Sequence, residues 1–221
     1  MTERRLLLAT QNPGKVREIR KALEGLPLKV VGLRGLVAGP APRERGRTFA
    51  TNARAKALYY SRKWPGLTLA EDSGLEVDRL GGAPGIRSAR FSSPRPTDAK
   101  NIRKLLSRLE SVRAADRGAR FVCVMVLARQ GRVIKEFRGT VRGRIAKSPR
   151  GESGFGYDPV FFYPPFRRAF AELTAEAKNE VSHRGRAVRK LRRYLEREKE
   201  ALPGARPDRA SIVISGRFRR P

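Results

Sequence analysis

The feature that most constrains the fold is an apolar run of eight residues, Phe121 to Ala128. A membrane-spanning helix needs about 20 such residues, so this run is too short to cross a bilayer. The turn sequence Gln130-Gly131 follows it, and Arg132 to Arg142 is a second segment with an extended pattern. These segments predict two antiparallel strands in a globular protein, and we expect no membrane partner.

The N-terminal part of the chain predicts a strand, a loop and a helix. Arg5 to Ala9 has a strand pattern, Pro13-Gly14 marks a turn, and apolar residues then recur at helical spacing. Those residues are Val16, Ile19, Leu23 and Leu26. Leu28 to Val31 predicts a second strand, and a loop rich in Gly, Pro and Arg follows from Leu33 to Arg47.

The middle of the chain continues the alternation of helices and strands. Thr48 and Thr97 each precede a helical pattern, and each is expected to cap its helix. Leu67 to Glu71 predicts a strand, which Gly74 separates from a further extended segment, Leu75 to Asp78. Helices and strands in this order predict a sheet with helices packed against it.

The last third of the chain contains a long segment without a regular pattern. Residues 143–168 are dense in Gly, Pro and aromatic residues and are predicted to form a functional loop. A final helix is predicted from Thr174 or Ser182 to Glu200, before a tail with strand-like Ser211 to Ser215. The expected fold class is α/β, with a mixed β-sheet flanked by helices in one domain over residues 1–202. Residues 203–221 form a basic C-terminal extension.

The most unusual bulk property is charge, because 50 basic residues against 21 acidic residues give a net charge of +29. A nucleic-acid partner, attraction of phosphates to an active site, and a compositional bias toward Arg would each produce such an excess. The basic residues are scattered through every segment, which favours the compositional explanation and disfavours nucleic-acid binding.

The cellular compartment is indicated by two features of the sequence. Cys123 is the single cysteine, so no internal disulfide can form, and Leu6 to Ala9 is too short for the apolar core of a secretion signal. We therefore expect a cytoplasmic protein.

The first candidate site lies between the first predicted strand and helix. It consists of Thr10, Gln11, Asn12, Pro13, Gly14 and Lys15. Backbone amides at a helix N-terminus and a lysine can converge on an anion. The spacing is not that of a Walker A loop. An ordinary turn with a solvated lysine is the alternative.

The second candidate site is the acidic strand end Glu71-Asp72-Ser73-Gly74. Carboxylate oxygens are the ligands that Mg²⁺ prefers, and sites on open α/β sheets collect at strand ends. Because adjacent strand residues point to opposite faces, only one of the two carboxylates is expected on the chemical side. The alternative is a turn in which Asp72 and Ser73 cap backbone amides.

Two later segments could hold a nucleobase. In Ser153 to Pro159, glycines flank Phe155 and Tyr157, whose rings could stack on a base, and Asp158 could accept a hydrogen bond from one. The second segment is Lys178 together with Ser182-His183-Arg184-Gly185, which contains the single histidine and supplies donors for a purine edge. Core packing of the two aromatics and a structural histidine are the alternatives.

The order and the amino-acid sequences of these segments resemble those of the inosine triphosphate pyrophosphatase family, the non-canonical purine nucleotide pyrophosphatases. The matching stretches are Leu8 to Lys15, Glu44 to Phe49 with Asn52-Ala53, Glu71 to Leu75, Gly82 to Phe91, Gly154 to Phe161 and Ser182 to Gly185. The resemblance implies an elongated sheet with two lobes. It also implies a cytoplasmic homodimer that cleaves ITP, dITP or XTP between the α and β phosphates, giving the monophosphate and pyrophosphate.

The resemblance also assigns roles by position. Asp72 would be the general base and a Mg²⁺ ligand, Glu44 a second ligand, and Lys15 a catalytic cation that offsets phosphate charge. The other substrate-binding residues would be Thr10, Gln11, Asn12, Pro13, Gly14, Ser73, Phe155, Gly156, Tyr157, Asp158, Lys178, His183 and Arg184. Donors near His183 would meet O6 of hypoxanthine or xanthine, whereas adenine presents an amino group there. Guanine also carries O6, so this contact does not explain rejection of GTP.

The sequence departs from the family pattern at three positions. Glu71 stands where the family usually has Asp, which leaves its metal role open, and Thr51 and Ala177 replace acidic residues.

Two alternative functions have to be distinguished from hydrolysis of non-canonical purine triphosphates. One is nucleic-acid binding through the excess charge, and the other is a related pyrophosphatase acting on other damaged or pyrimidine triphosphates.

Overall fold

The structure, a computed structural model, describes residues 4–33, 42 and 44–200, without the side chains of 199 and 200. Within this range a mixed sheet has the strand order β2-β1-β3-β4-β5-β6-β7. The strands are β1 (Arg5–Leu8), β2 (Lys29–Gly32), β3 (Leu67–Val77), β4 (Gly118–Arg129), β5 (Arg132–Ile145), β6 (Phe161–Tyr163) and β7 (Arg168–Ala169). β1 pairs in parallel with β2 and β3, and the other neighbours are antiparallel. The α/β prediction with a mixed sheet is confirmed.

Five α-helices are formed in the described residues. They are α1 (Pro13–Ala22), α2 (Phe49–Ser61), α3 (Asp98–Arg108), α4 (Ala175–Val181) and α5 (His183–Glu200). Thr48 and Thr97 each accept a hydrogen bond from a first-turn amide of the helix that follows, which confirms both predicted caps. Asn12 caps α1 and Thr174 caps α4 in the same way.

The core is divided by the two faces of the sheet. Along β4, Val122, Val124 and Val126 join a cluster with α2, whereas the intervening Cys123 and Met125 join a cluster with α1 and α5. This alternation follows from the period of two along a strand. Helices therefore cover both faces of β3 and β4, and the apolar run at the centre of β4 is buried on both sides.

Two predictions about the strands were wrong. Gly74 does not interrupt the third strand, because β3 is paired with β4 along its length and Gly74 lies opposite Val122. Residues 143–168 are not irregular throughout, because they contain the end of β5, all of β6 and the first residue of β7. The last two strands have three and two residues, which is too short for a periodic sequence signal.

The two alternative starts of the last helix both occur, since Thr174 precedes α4 and Ser182 separates α4 from α5. The first helix ends at Ala22, so Leu26 lies beyond it although it still packs against the core. The tail prediction at 211–215, the extension 203–221 and most of the loop predicted from Leu33 to Arg47 lie outside the described residues. Among the residues described, no helix has the length and apolar character needed to span a membrane.

Candidate active site

The segment predicted to bind an anion leads from β1 into α1. The Asn12 side chain accepts a hydrogen bond from the Lys15 amide at 3.1 Å, and Thr10 Oγ1 accepts from the Asn12 amide at 3.3 Å. The first turn of α1 contains no acidic side chain, so its partial positive charge is not offset locally. This geometry places a helix N-terminus and Lys15 together beside β3.

The paired carboxylates at the middle of β3 point to opposite faces of the sheet, as the strand period predicts. Asp72 lies on the face covered by α2, where it contacts Asn52 and Lys56. Glu71 lies on the face covered by α1 and α5, where it contacts Lys15 and Arg184. The two residues therefore belong to different environments, and each has to be considered with its own partners.

On the Asp72 face, a lysine lies between two carboxylates. Lys56 Nζ is 2.9 Å from Glu44 Oε1 and 3.8 Å from Asp72 Oδ1. Asn52 Nδ2 donates to Asp72 Oδ2 at 3.0 Å, and Arg90 lies 3.2 Å from Glu44. The predicted metal ligands Glu44 and Asp72 are thus brought to one place, with a cationic group between them.

The pKa values of these two carboxyls shift in opposite directions, although burial acts to raise both. Burial raises the pKa of Asp72, and the nearby Lys56 charge and the Asn52 hydrogen bond offset it only in part. At Glu44, burial also acts to raise the pKa, but the contacts with Lys56 and Arg90 outweigh it and the pKa is lowered. The pKa of Asp72 is thus raised above its ordinary value, whereas that of Glu44 is lowered.

On the opposite face, Glu71 is only 2% exposed and is held by two cations. Lys15 Nζ lies 2.7 Å from Glu71 Oε1, and Arg184 Nε donates to Glu71 Oε2 at 2.9 Å. Burial acts to raise the pKa of this carboxyl, but the Arg184 and Lys15 charges hold it well below its ordinary value. Glu71 is ionised and committed to these cations, so its geometry does not pair it with Asp72.

The ion pairs continue from Arg184 to the segment predicted to bind a base. Arg184 Nη1 donates to Glu18 Oε2 at 2.5 Å, and Lys178 Nζ lies 2.8 Å from Glu18 Oε1. The same Lys178 Nζ lies 2.5 Å from Asp158 Oδ2, which also accepts from the Phe155 amide at 2.9 Å. Cations and carboxylates therefore alternate from Lys15 to the loop at Phe155.

Most of the predicted substrate-binding residues line one cavity. These are Asn12, Lys15, Ser73, Phe155, Gly156, Tyr157, Asp158, Lys178, His183 and Arg184. Thr10 and Gln11 instead line a neighbouring depression with Glu44 and Lys56. Gly14 is placed under the Phe155 ring, since an added Cβ there would lie 2.6 Å from Phe155 Cδ1. Pro13 is the first residue of α1.

The loop that carries Phe155 is fixed at several points. Asp98, at the start of α3, accepts a hydrogen bond from the Gly156 amide at 2.7 Å. The Tyr157 hydroxyl donates to the Ser88 carbonyl at 2.8 Å, and its ring is part of the core, as the alternative interpretation held. Lys178 Nζ lies 4.8 Å from the centroid of the Phe155 ring. A cation and an aromatic ring thus share the cavity wall.

His183 is buried and lines the cavity at the start of α5. Its ring stacks on Phe121 with centroids 4.7 Å apart, and Nδ1 has no hydrogen-bond partner among the described residues. Burial and the nearby Arg184 charge hold the pKa of the imidazole well below its ordinary value. The ring is therefore neutral near pH 7, with one nitrogen able to donate and the other able to accept.

Some residues of the site were not among the predicted ones. They are Glu18, Asn52, Lys56, Arg90, Asp98 and Asn101. Helical spacing holds a signal for two of them, because Glu18 follows Lys15 by three residues and Lys56 follows Asn52 by four. Asp98 and Asn101 lie on α3, and only the tertiary fold brings that helix to the cavity.

Comparison with known proteins gives a consistent result. A model of the Ham1 family matches residues 6–194. The dITP/XTP pyrophosphatase of Gloeobacter violaceus is 47% identical over 191 residues, covering 84% of this chain and 91% of that protein. The dITP/XTP pyrophosphatase of Bacillus licheniformis is 42% identical over 191 residues, covering 86% and 97% of the two chains.

Solved structures agree with the sequence matches. The HAM1 protein of Coxiella burnetii has a TM-score of 0.80 at 37% identity and covers 88% of this chain and 99% of its own. The Ham1 protein of Staphylococcus aureus has a TM-score of 0.79 at 37% identity, covering 88% and 100%. With this agreement in sequence and fold over most of its length, the chain belongs to the Ham1 family.

Proposed function

We propose that this protein hydrolyses non-canonical purine nucleoside triphosphates such as ITP, dITP and XTP to the monophosphate and pyrophosphate. The observation that carries the proposal is an aromatic-lined cavity that shares its wall with the N-terminus of α1, beside the middle of β3, the strand that contains Asp72. Similarity to proteins named dITP/XTP pyrophosphatases supports the substrate class.

Mg²⁺ is proposed as the cofactor, with Asp72 and Glu44 as its protein ligands. The Lys56 ammonium lies between these two carboxylates, so the site already accommodates a cationic group. The described residues contain no larger cluster of three or more His, Cys, Asp or Glu side chains suited to a metal. Two carboxylates fit Mg²⁺, which commonly takes one or two from the protein and completes its shell with water and substrate phosphates. When bound, the ion would offset the charge that develops on those phosphates.

Asp72 is proposed to position and deprotonate the attacking water. Its Oδ2 is fixed by Asn52 at 3.0 Å and its Oδ1 accepts from the Ser73 amide at 3.1 Å, so the carboxylate orientation is set before substrate arrives. Burial raises the pKa of this carboxyl, which strengthens it as a base. The water would attack the α phosphorus, and pyrophosphate would leave.

The phosphate chain is proposed to lie over the N-terminus of α1. The partial positive charge of the helix N-terminus and the Lys15 ammonium would face the phosphates, and Thr10, Gln11 and Asn12 would supply polar contacts. Ser73 lies in the middle of β3, where its hydroxyl accepts a hydrogen bond from Arg184 at 3.0 Å. These groups would hold the triphosphate while Asp72 acts on water.

The base is proposed to occupy the cavity lined by Phe155, Lys178 and His183. Arg184 is largely committed within the protein, because Nε and both Nη atoms donate to Glu71, Glu18 and Ser73. One Nη–H therefore remains for a ligand. Donors from Lys178, neutral His183 and this last N–H suit the O6 carbonyl of hypoxanthine or xanthine, while adenine would leave them unpaired.

A cytoplasmic homodimer is proposed as the working form, on the resemblance to the pyrophosphatase family. Nucleic acid is not proposed as a partner, since the cations of the cavity are matched by carboxylates in one ion-pair chain. The +29 charge of the whole chain therefore does not reach this cavity as an unpaired excess of cations.

The activity is tested by incubating purified protein with ITP and Mg²⁺ and identifying the products. IMP and pyrophosphate are expected, with loss of turnover when Mg²⁺ is chelated. IDP with orthophosphate, or no turnover of any inosine or xanthosine triphosphate, would overturn the proposal. Measuring kcat/KM for ITP, XTP, GTP and dUTP separates the purine assignment from a related enzyme that acts on other damaged or pyrimidine triphosphates.

A further inference from the structure

Six buried or half-buried charged residues form one alternating chain beneath the cavity. From the phosphate end to the base end they are Lys15, Glu71, Arg184, Glu18, Lys178 and Asp158. Successive members are 2.5 to 2.9 Å apart, and the chain draws on β3, α1, α4, α5 and the Phe155 loop. Three cations and three carboxylates are therefore balanced along it.

The members of this chain are not equally placed with respect to the cavity. Its three cations, Lys15, Arg184 and Lys178, all line the cavity. Glu18 and Glu71 do not line it and contact the cations from behind. A carboxylate in this position determines where each cation points and how much positive charge the cavity presents.

Among the described residues, Glu18 alone joins Lys178 and Arg184, the two cations nearest the loop that carries Phe155. Its two carboxylate oxygens accept from Lys178 and from Arg184. Glu71 is shared between Arg184 and Lys15, and Asp158 contacts Lys178 alone among the cations. Removal of the Glu18 charge would leave these two cations with one fewer carboxylate between them. Asp98 is the other carboxylate on the cavity wall, and it faces the Gly156 amide.

We propose that Glu18 is a positioning residue that sets the preference between neutral and anionic purine bases by balancing the charge of Lys178 and Arg184. This inference rests on the proposed function, since it concerns the base specificity of that same site. The two expected substrates differ in the relevant property. The xanthine ring loses a proton near neutral pH and becomes an anion, whereas hypoxanthine remains neutral at the same pH.

The electrostatic consequence is directional. Loss of a unit charge that lies a few ångströms from the cavity wall changes the affinity for an anion bound there by about tenfold or more. This holds even at the high effective dielectric constant typical of proteins. The neutral hypoxanthine ring gains nothing from such a change, and it suffers from the poorer orientation of Lys178 and Arg184. Loss of the Glu18 charge is thus expected to favour xanthine over hypoxanthine.

The test is the ratio of kcat/KM for XTP to kcat/KM for ITP, measured at mildly alkaline pH. Glu18→Gln keeps the shape of the side chain and removes its charge. The ratio is expected to rise about tenfold in this variant. The matched control is Glu176→Gln, which removes a carboxylate of α4 that is exposed and pairs with Lys21 away from the chain. The control is expected to retain the wild-type ratio.

A second variant separates charge from folding. Glu18→Asp keeps the charge, so its XTP to ITP ratio is expected to stay near wild type even if its KM values rise. Binding of IMP and xanthosine monophosphate to each variant, measured by calorimetry, gives the same comparison without turnover. An equal loss for both substrates in Glu18→Gln, or an unchanged ratio, would overturn the proposal. A wild-type protein that releases pyrophosphate from neither substrate would instead contradict the proposed function.

Discussion

The two faces of β3 differ sharply at a single pair of neighbouring residues. On one face, Asp72 has an amide and a lysine near it, and the lysine bridges to Glu44. On the other face, Glu71 is enclosed in a continuous chain of ion pairs that reaches the base loop. The Asp72 face holds a lysine between two carboxylates, where we propose that Mg²⁺ binds, whereas the cations of the Glu71 face are paired along the ion-pair chain. We therefore propose bond cleavage on the Asp72 face and substrate binding on the Glu71 face.

The difference also shows why adjacent carboxylates need not form one metal site. A strand directs successive side chains to opposite sides of a sheet, and helices cover both sides of this sheet. The longer side chain of Glu71 reaches Lys15 and Arg184 rather than the position between Glu44 and Asp72. From these partners we propose that Glu71 holds Lys15 and Arg184 and is not a metal ligand.

The largest effect is expected from removal of Asp72, the proposed general base. Asp72→Asn is expected to lower kcat for ITP by about 10²- to 10⁴-fold, because an amide cannot accept a proton from water. Steady-state release of pyrophosphate measures the effect, with circular dichroism to confirm the fold. Glu76→Gln is the control, since Glu76 lies on the same strand and pairs with Arg120. An Asp72→Asn variant with wild-type kcat would remove Asp72 from the chemistry.

On the Glu71 face of β3, the largest expected effect is on the free energy of unfolding. Glu71→Gln leaves Lys15 and Arg184 without a shared buried partner, which is expected to lower the free energy of unfolding by about 3–5 kcal/mol. Urea denaturation followed by fluorescence gives the value. Glu136→Gln, which removes an exposed partner of Arg54, is expected to change it by about 0–1 kcal/mol. Equal stabilities of the two variants would contradict the view of Glu71 as the anchor of this face.

A smaller effect on substrate binding is expected where Gly14 of α1 meets the loop that carries Phe155. Gly14→Ala would place a Cβ 2.6 Å from the Phe155 ring and force that ring to move. KM for ITP is expected to rise about tenfold with little change in kcat, on the usual cost of overpacking. Gly32→Ala serves as the control because its added Cβ would meet nothing closer than 3.8 Å. A change in kcat alone would place Phe155 outside recognition.

The smallest expected effect concerns the anchor of the Phe155 loop on α3. Asp98→Ala removes the acceptor for the Gly156 amide, and loss of one such bond is expected to raise KM for ITP about fivefold. Asp116→Ala removes a carboxylate that pairs with Arg113, and it is expected to leave KM unchanged. If both variants behave alike, the loop does not depend on Asp98.

Much of the fold could be predicted because its signals are local. The apolar run of β4, the turn at Gln130-Gly131 and the caps at Thr48 and Thr97 each follow from a few neighbouring residues. Signals of this kind could not reveal the three-residue β6 or the continuity of β3 through Gly74. Those features depend on which strand lies alongside, and that is decided by tertiary pairing.

The residues of the site could likewise be predicted only where their signals are local. The segments that contain Lys15, Phe155 and His183 were found from the sequence, and the structure gathers them around one cavity. Glu18, the carboxylate that links Lys178 and Arg184, was not found, because Glu18 and Lys178 are 160 residues apart in the chain. Motifs identify groups that face a ligand, whereas the groups behind them are revealed only by three-dimensional contacts.

The division of labour between the two faces is tested most directly by binding of the product IMP to Asp72→Asn, measured by isothermal titration calorimetry. IMP lacks the β and γ phosphates, so its affinity reports chiefly on the base cavity and its ion-pair chain. This variant is expected to bind IMP as tightly as the wild-type protein while it fails to hydrolyse ITP. Loss of IMP binding in parallel with loss of turnover would contradict this division, because the two faces would then act as one site.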